Sequence, residues 1–315
     1  MAQIESTPLL SICIPIYNRL SYLERMLDRF FEEKELFESR IELYISDNCS
    51  EDDLQSCCSQ FKERGLKLKY HRNDTNLGMD GNFINCFKSA NGKYVWLLGS
   101  DDIPQRGRLK TICKILSTHC DYGLLHFAGE KSQENEPLVE VNNGSALLEE
   151  LHVWITFISG NIVNREFVKE INFDKYRGTL ISQVPLYIHS IVSSQTNAIY
   201  YANVFENGSD SANNGGYNIF QVFVDNLFCI FRQFMSNNKL SRTTFERIEK
   251  LEYKEFLVDY IVRLLIFRKH SNFKTKDAWK ILRKYYVAKP YAYYFLSTAL
   301  LKHYLRSLLK YCKRM

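Results

Sequence analysis

Leu10-Ser11-Ile12-Cys13-Ile14-Pro15-Ile16, followed at once by Tyr17-Asn18-Arg19, decides how this 315-residue chain folds. The apolar, β-branched run is a strand, and the polar triplet marks its end. Residues 21–31 then repeat apolar side chains at helical spacing (Tyr22, Leu23, Met26, Leu27, Phe30), so the strand leads into a crossover helix. The pattern recurs. Ile41-Glu42-Leu43-Tyr44-Ile45-Ser46 is a second strand, ending in the turn-rich Asp47-Asn48-Cys49-Ser50-Glu51-Asp52-Asp53, where Ser50 is placed to cap a helix running to Gly65. Residues 66–71 read as a third strand, 81–90 as a helix, and 93–98 as a fourth strand buried on both faces. Strand and helix alternating at this density predict an α/β fold with a doubly wound, mostly parallel sheet.

In such sheets ligands bind beyond the carboxyl ends of the strands. Polar clusters sit at those ends: Tyr17-Asn18-Arg19, Asp47-Asn48, residues 73–82, and Ser100-Asp101-Asp102. Four loops are expected to converge on one rim.

The length suggests two domains, and 45% hydrophobic residues with 14 Gly and 6 Pro exclude a disordered or collagenous chain. Residues 261–315 hold 14 Lys and Arg against one acid, Asp277, whereas residues 1–260 carry more acids than bases. That split points to an acidic partner for the tail, a membrane surface or nucleic acid. The tail has no zinc-finger spacing or helix-turn-helix pattern, which ranks nucleic acid last. Nine cysteines, an odd number with no C-x-x-C pair, read as reduced thiols of a cytosolic protein. The N-terminal residues lack the basic start and cleavage site of a signal peptide. The best apolar run, residues 291–301, is half of the ~20 residues a spanning helix needs.

Beyond residue 150 come an apolar stretch (Trp154, Ile155, Phe157, Ile158), the small triplet Ser159-Gly160-Asn161 and a strand at Ile162-Val163. Residues 206–216 are a Gly/Asn/Ser loop long enough to move as a lid, and from Tyr217 onward the pattern is helical. The expected organisation is a domain over 1–216, divided at residue 116 into two halves, and a basic helical region over 217–315.

Asp101 and Asp102 follow the apolar strand and Gly99, at the end of a rigid element with access to water. Paired carboxylates there suit a hard cation, Mg²⁺ or Mn²⁺, with positions left open for phosphate oxygens. Asp102 equally suits the N-cap of a helix beginning near Pro104.

The segments 11–19 and 45–52, Asn76-Leu77-Gly78 with Asn82, and 92–102, in that order and spacing, resemble the nucleotide-sugar-binding half of an inverting family-two glycosyltransferase with the GT-A fold. Within it they are similar to the abequosyltransferase-like enzymes of bacterial O-antigen and capsule assembly. The resemblance implies that Pro15, Tyr17 and Arg19 line the nucleotide base and diphosphate, and that Asp47 accepts a hydrogen bond from the base. It implies that Gly78 allows close backbone approach beside Asn76, that Asn82 reaches the donor, that Asp101 contacts the ribose, and that Asp102 binds the metal bridging the diphosphate. From the residues alone, Asp47 equally reads as an Asx turn and Asn76-Leu77-Gly78 as a surface turn.

The acceptor half departs from the family. Where an acidic pair normally deprotonates the attacking hydroxyl, this chain has residues 178–186, Gly-Thr-Leu-Ile-Ser-Gln-Val-Pro-Leu, with no carboxylate. Gln183 can orient a hydroxyl but is no base near neutral pH. Asp174, Asp210 and His189 are the candidates in its place. Ser159-Gly160-Asn161 reads as an acceptor-side segment or as a tight turn.

In the tail, Phe256, Leu257, Tyr260, Ile261, Leu264 and Leu265 form one helical stripe. Leu301, Tyr304, Leu305, Leu308 and Leu309 form another, beside Lys302, Arg306, Lys310, Lys313 and Arg314. Such helices lie on anionic membranes or pack as a bundle with a solvated basic face. What the resemblance implies, together with this tail, is a cytoplasmic, metal-dependent glycosyltransferase, peripheral on the inner face of the cytoplasmic membrane. It would move a sugar from a nucleoside diphosphate to a saccharide, a lipid-linked glycan intermediate of bacterial surface polysaccharide. The rival is a non-catalytic nucleotide-sugar-binding or membrane-surface scaffold. Nucleotidyl transfer ranks lower, because the loop after the first strand is not Gly-rich.

Overall fold

The computed structural model describes residues 7–118, 121–129, 137–206 and 215–312. The chain forms two compact units, one of residues 1–147 and 154–210, the other of 148–153 and 211–315.

The first unit opens with strand β1 (Leu10–Ile16), helix α1 (Leu20–Phe31), a short helix α2 (Leu36–Ser39), β2 (Ile41–Asp47), α3 (Leu54–Glu63), β3 (Lys69–Arg72), α4 (Gly78–Ser89), β4 (Tyr94–Leu97) and α5 (Arg108–Thr118). β5 (Leu124–Phe127), β6 (Leu138–Val141), α6 (Gly144–Leu151, which runs into the second unit), β7 (Asn161–Asn164), α7 (Val184–Ser193) and β8 (Asn197–Tyr200) follow. The strands form one eight-stranded sheet in the order β3-β2-β1-β4-β7-β5-β8-β6. β3, β2, β1 and β4 are parallel, β5 is parallel to β8, β7 runs antiparallel between β4 and β5, and β6 is antiparallel to β8. The sheet is thus the predicted mostly parallel one, continued by a mixed half. Its central strands are buried on both faces, as parallel strands covered by helices must be.

Pro15 shows how the sequence fits this topology. Residue 13 faces β4, and the N–H of Leu98, just past that strand, donates to the Cys13 carbonyl; residue 15 faces the same way. The β4 ladder ends at Cys13, so the missing Pro15 N–H breaks no pairing.

Several local expectations change. Asp53, not Ser50, caps α3, accepting from the Ser56 N–H at 3.1 Å. α4 starts three residues early, at Gly78. α5 starts only at Arg108, after Gly107 at φ 74°, so Asp102 is not a helix N-cap.

The second unit contains α8 (Leu227–Ser236), α9 (Arg242–Glu252), α10 (Val258–Tyr260), α11 (Ala278–Tyr286) and α12 (Pro290–Cys312). Phe228 is its aromatic centre, with ring centroids 5.6 Å from Phe245 and 5.2 Å from Tyr285. Wide turns at Tyr253–Leu257 and Ile261–Ile266 flank α10 and lengthen the repeat, so Tyr253, Leu257, Ile261 and Leu264 are buried while Phe256 and Tyr260 are half-buried. Among the described residues seven cysteines are seen unpaired, five of them buried. Among the described residues no helix is long and apolar enough to cross a membrane.

Candidate active site

The four predicted loops meet at the carboxyl ends of β1, β2 and β4. Asn18, at φ 49°, donates its N–H to Ser50 Oγ (3.0 Å) and accepts from the Glu51 N–H through Oδ1 (2.7 Å). Asn48 donates to Asn76 Oδ1 (2.8 Å) and accepts from the Leu77 N–H (2.8 Å). Arg19 forms an ion pair with Asp101 at 3.3 Å. The loop after β1 is therefore tied to those after β2 and β4, and the loop after β2 to the start of α4. Tyr17 stands 44% exposed on this rim, and Pro15 is half-buried beneath it.

Asp102 is the most specifically held of these groups. Its N–H donates to the Gly99 carbonyl at 3.0 Å, closing a tight turn. Ser159 Oγ donates to Asp102 Oδ2 at 2.6 Å and accepts from the Gly99 N–H at 2.8 Å. Ser159 itself is buried, its carbonyl taking the Trp96 indole N–H at 2.8 Å. A Cβ on Gly99 would lie 2.8 Å from Asp102 Oδ2 and 3.2 Å from Ser159 Oγ, so only glycine lets this cluster close. Burial pushes the Asp102 carboxyl up to about 6 despite the opposing Ser159 hydrogen bond, and the neighbouring Asp101 charge adds to the rise.

Among the described residues no three His, Cys, Asp or Glu side chains converge as a metal-ligand set. A divalent cation here would take a carboxylate oxygen from the chain and its other ligands from water and phosphate, a donor set that suits Mg²⁺ and Mn²⁺. Asp102 fits that demand, because Ser159 fixes Oδ2 and, among the described residues, none donates a hydrogen bond to Oδ1.

Asp47 behaves differently from the expectation. Its side chain is fully buried, with Oδ1 accepting from the Ser50 N–H (2.9 Å) and Oγ (2.5 Å), and Oδ2 from Tyr70 OH (2.7 Å) and Arg72 (3.0 Å). Burial alone would raise its pKa, but these bonds outweigh burial and hold it low. The carboxylate is an Asx-type strut of the rim, and a base reaches it only if Arg72, 43% exposed, moves aside. Asn82 is also corrected. It is buried, accepting from Ser46 Oγ (2.7 Å) and donating to the Ser46 carbonyl (3.0 Å), so it pins α4 to β2 instead of reaching the cleft. Asn76 is exposed and accepts from the Gly78 N–H at 2.9 Å. Gly78 is required by its φ of 71°, not by crowding, since a Cβ there would meet nothing within 4 Å.

On the acceptor side, Gln183 precedes α7 and is buried. Its Nε2 donates to the Thr156 carbonyl at 2.9 Å, while Oε1 and the adjacent Ser182 Oγ have no hydrogen-bond partner among the described residues. The segment 154–160 thus touches Asp102 through Ser159 and the start of α7 through Thr156. Asp80, missed from sequence because an acid in the first turn of a helix looks like ordinary dipole compensation, accepts the N–H groups of Leu180 (2.9 Å) and Ser182 (3.2 Å). Ser159 as the partner of Asp102 was equally illegible, being 57 residues away.

Asp174 does not suit a base. It is exposed, paired with Lys88 at 2.9 Å and Arg177 at 2.8 Å, and the Lys88 and Arg177 bonds hold its pKa below the usual range. Asp210 lies outside the described residues. His189 is half-buried on α7, 3.3 Å from Ser193 Oγ. At the opposite edge of the sheet, where the strands begin, are cavities of about 500 and 1030 Å³ lined by residues such as Pro8, Asn91 and Arg165. They contain none of the rim residues above.

A glycosyl transferase family 2 model matches residues 11–172, just over half of the chain and the whole donor rim. The chain belongs to this family. Among curated members, abequosyltransferase RfbV of Salmonella typhimurium is 36% identical over 136 residues, 43% of this chain and 39% of that protein. The GalNAc(5)-diNAcBac-PP-undecaprenol beta-1,3-glucosyltransferase of Campylobacter jejuni is 30% identical over 106 residues, 33% of each chain by coverage. The chain thus matches well under half the length of these two relatives. Among solved structures, the mannosyltransferase PcManGT of Pyrobaculum calidifontis, in complex with GDP-Man and Mn²⁺, superposes with a TM-score of 0.56 at 15% identity, covering 94% of this chain and 87% of that one. That likeness establishes the GT-A type of fold in this family 2 chain.

Proposed function

We propose that the chain is an inverting, metal-dependent glycosyltransferase that moves a sugar from a nucleoside diphosphate to a lipid-linked saccharide of bacterial surface polysaccharide, working at the inner face of the cytoplasmic membrane. The observation that carries it is the Gly99-Asp102-Ser159 cluster: a carboxylate held through one oxygen, with no donor to the other among the described residues, at the rim where the loops of β1, β2 and β4 meet. Support for the donor and metal comes from the GDP-Man and Mn²⁺ of PcManGT, and for the acceptor from the undecaprenol-linked substrate in the name of the Campylobacter relative.

A bound Mg²⁺ or Mn²⁺ supplies charge to offset the negative charge that grows on the departing diphosphate. Asp102 holds that cation, Asp101 with Arg19 frames the ribose, and Tyr17 and Pro15 wall the base. Positioning these groups before reaction costs nothing at the moment of bond breaking, so they stabilise the transition state more than the ground state. Gln183, buried with its Nε2 on the Thr156 carbonyl, anchors the start of α7 to the segment 154–160 on the acceptor side. It does not take the proton, and with Asp174 held by Lys88 and Arg177, that step falls to Asp210 or His189. The absence of an acidic pair in residues 178–186 is what favours the non-catalytic alternative.

The test is a panel of nucleotide sugars scored by thermal stabilisation with and without Mn²⁺, then by transfer to lipid-linked acceptors. One donor should raise the melting temperature only with the metal present, and should turn over. Metal-dependent stabilisation with neither transfer nor donor hydrolysis would favour the scaffold, and no stabilisation by any donor would remove both readings.

A further inference from the structure

A second concave site lies within the helical unit. A cavity of about 520 Å³ runs between the segment 254–263 and α12. Its apolar floor includes Val258, Val262, Phe295 and Ala299, and its cations are Lys254, Arg263, Lys302 and Arg306, against one acid, Asp259. Asp259 is already paired with Arg263 at 3.3 Å, and Lys254 stands 3.5 Å from Glu255. Lys302 and Arg306 have no carboxylate partner among the described residues. Being four apart, they stand one turn above the other on the same face of α12, both exposed. His303, which lines the cavity, stacks on Phe267 with ring centroids 4.1 Å apart.

Immediately beside Lys302 and Arg306 runs an exposed apolar stripe on the same helix. Leu301, Leu305 and Leu309, at intervals of four, are 58%, 49% and 63% exposed, and Tyr304 is 62% exposed. A small soluble anion would need only the cations. The pairing of these cations, an apolar floor and an adjoining leucine and tyrosine stripe calls for a ligand that is anionic at one end and hydrocarbon at the other.

We infer that this groove seats the phosphate headgroup of an anionic membrane phospholipid, with Lys302 and Arg306 on the phosphate and the Leu301, Leu305 and Leu309 stripe entering the acyl boundary. The inference rests on the membrane reading above and gives it a site. It is distinct from the donor rim and involves no residue of that machinery.

The experiment is sedimentation of the full-length protein with phosphatidylglycerol vesicles and with phosphatidylcholine vesicles. The protein should partition onto the anionic vesicles alone and be released by salt. Lys302→Ala/Arg306→Ala should weaken that partition roughly thirty-fold, two surface cations being lost. Both side chains are exposed, so the far-UV circular dichroism and the metal-dependent donor binding of the variant should match the parent. Leu301→Ser/Leu305→Ser should also release the vesicles. If the double cation variant binds as the parent does while the leucine variant fails, the membrane reading survives and the groove is overturned. If the parent binds neither vesicle, both fall. If inorganic phosphate displaces the vesicles where chloride of equal ionic strength does not, the groove is a site for a soluble anion and the lipid assignment is overturned.

Discussion

Two aspartates end two strands of one sheet, and the structure treats them in opposite ways. At the end of β2, Asp47 is enclosed by Ser50, Tyr70 and Arg72, which hold its carboxyl below the ordinary range. In the loop after β4, Asp102 has one hydroxyl donor among the described residues, on Oδ2, and burial lifts it to about 6. Where donors exceed what burial costs, a carboxylate becomes a structural charge. Where they fall short, it retains an affinity for a proton or a cation, which is what a functional ligand needs.

The largest effect expected from breaking this contrast is at Asp102. Asp102→Asn should lower transfer at least a hundred-fold, measured as the initial rate at saturating Mn²⁺, since charge stabilisation of a leaving group by a metal is worth several kcal/mol. The same variant should stabilise the ligand-free protein. A folded carboxyl raised to about 6 contributes stability that is full below its unfolded value and is lost as pH rises through 6. Urea unfolding should therefore show Asp102→Asn more stable than the parent at pH 8, by about 1–3 kcal/mol, and no more stable at pH 4.

Asp47→Ala should do the reverse. It strands Ser50, Tyr70 and Arg72 at the rim and should cost about 2 kcal/mol in urea unfolding at neutral pH, the figure kept modest because Arg72 is 43% exposed. A depressed carboxyl contributes stability above its unfolded pKa, so the penalty should shrink as the pH falls. Equal penalties at pH 7 and pH 3 would contradict the strut.

The smallest change is at Ser159. Its hydrogen bond opposes the burial of Asp102, so Ser159→Ala should move the acid limb of Mn²⁺ binding upward from about 6 and weaken the metal roughly ten-fold, with Ser159→Thr restoring both. Electron paramagnetic resonance of free Mn²⁺ across pH reads this directly. An unshifted limb would leave Ser159 a packing residue only.

Much of this was legible in the chain. The strand at residues 10–16, the alternation that follows it and the Asp101-Asp102 pair after an apolar strand are local patterns, and local patterns survive into the fold. The cap of α3 was misassigned to Ser50 because Ser50 and Asp53 both flank the turn, and the competing bond that claims Ser50 comes from Asn18, 32 residues away. The family resemblance implied a donor contact for Asn82 near the start of a helix. Its face is decided by Ser46 on the neighbouring strand. Asp174 looked like a free carboxylate until Lys88, 86 residues distant, closed on it.

What the sequence determined by itself was the order of strands and helices and the kinds of polar group at each strand end, because periodicity and turn chemistry act over a few residues. The tertiary structure alone decided which of those groups stay available. The insertion of β7 between β4 and β5 carries Ser159 to Asp102, and the register of β3 on β2 carries Tyr70 and Arg72 to Asp47. Burial and partnering depend on such long-range neighbours, and they, more than residue type, separate a ligand-binding carboxylate from a structural one.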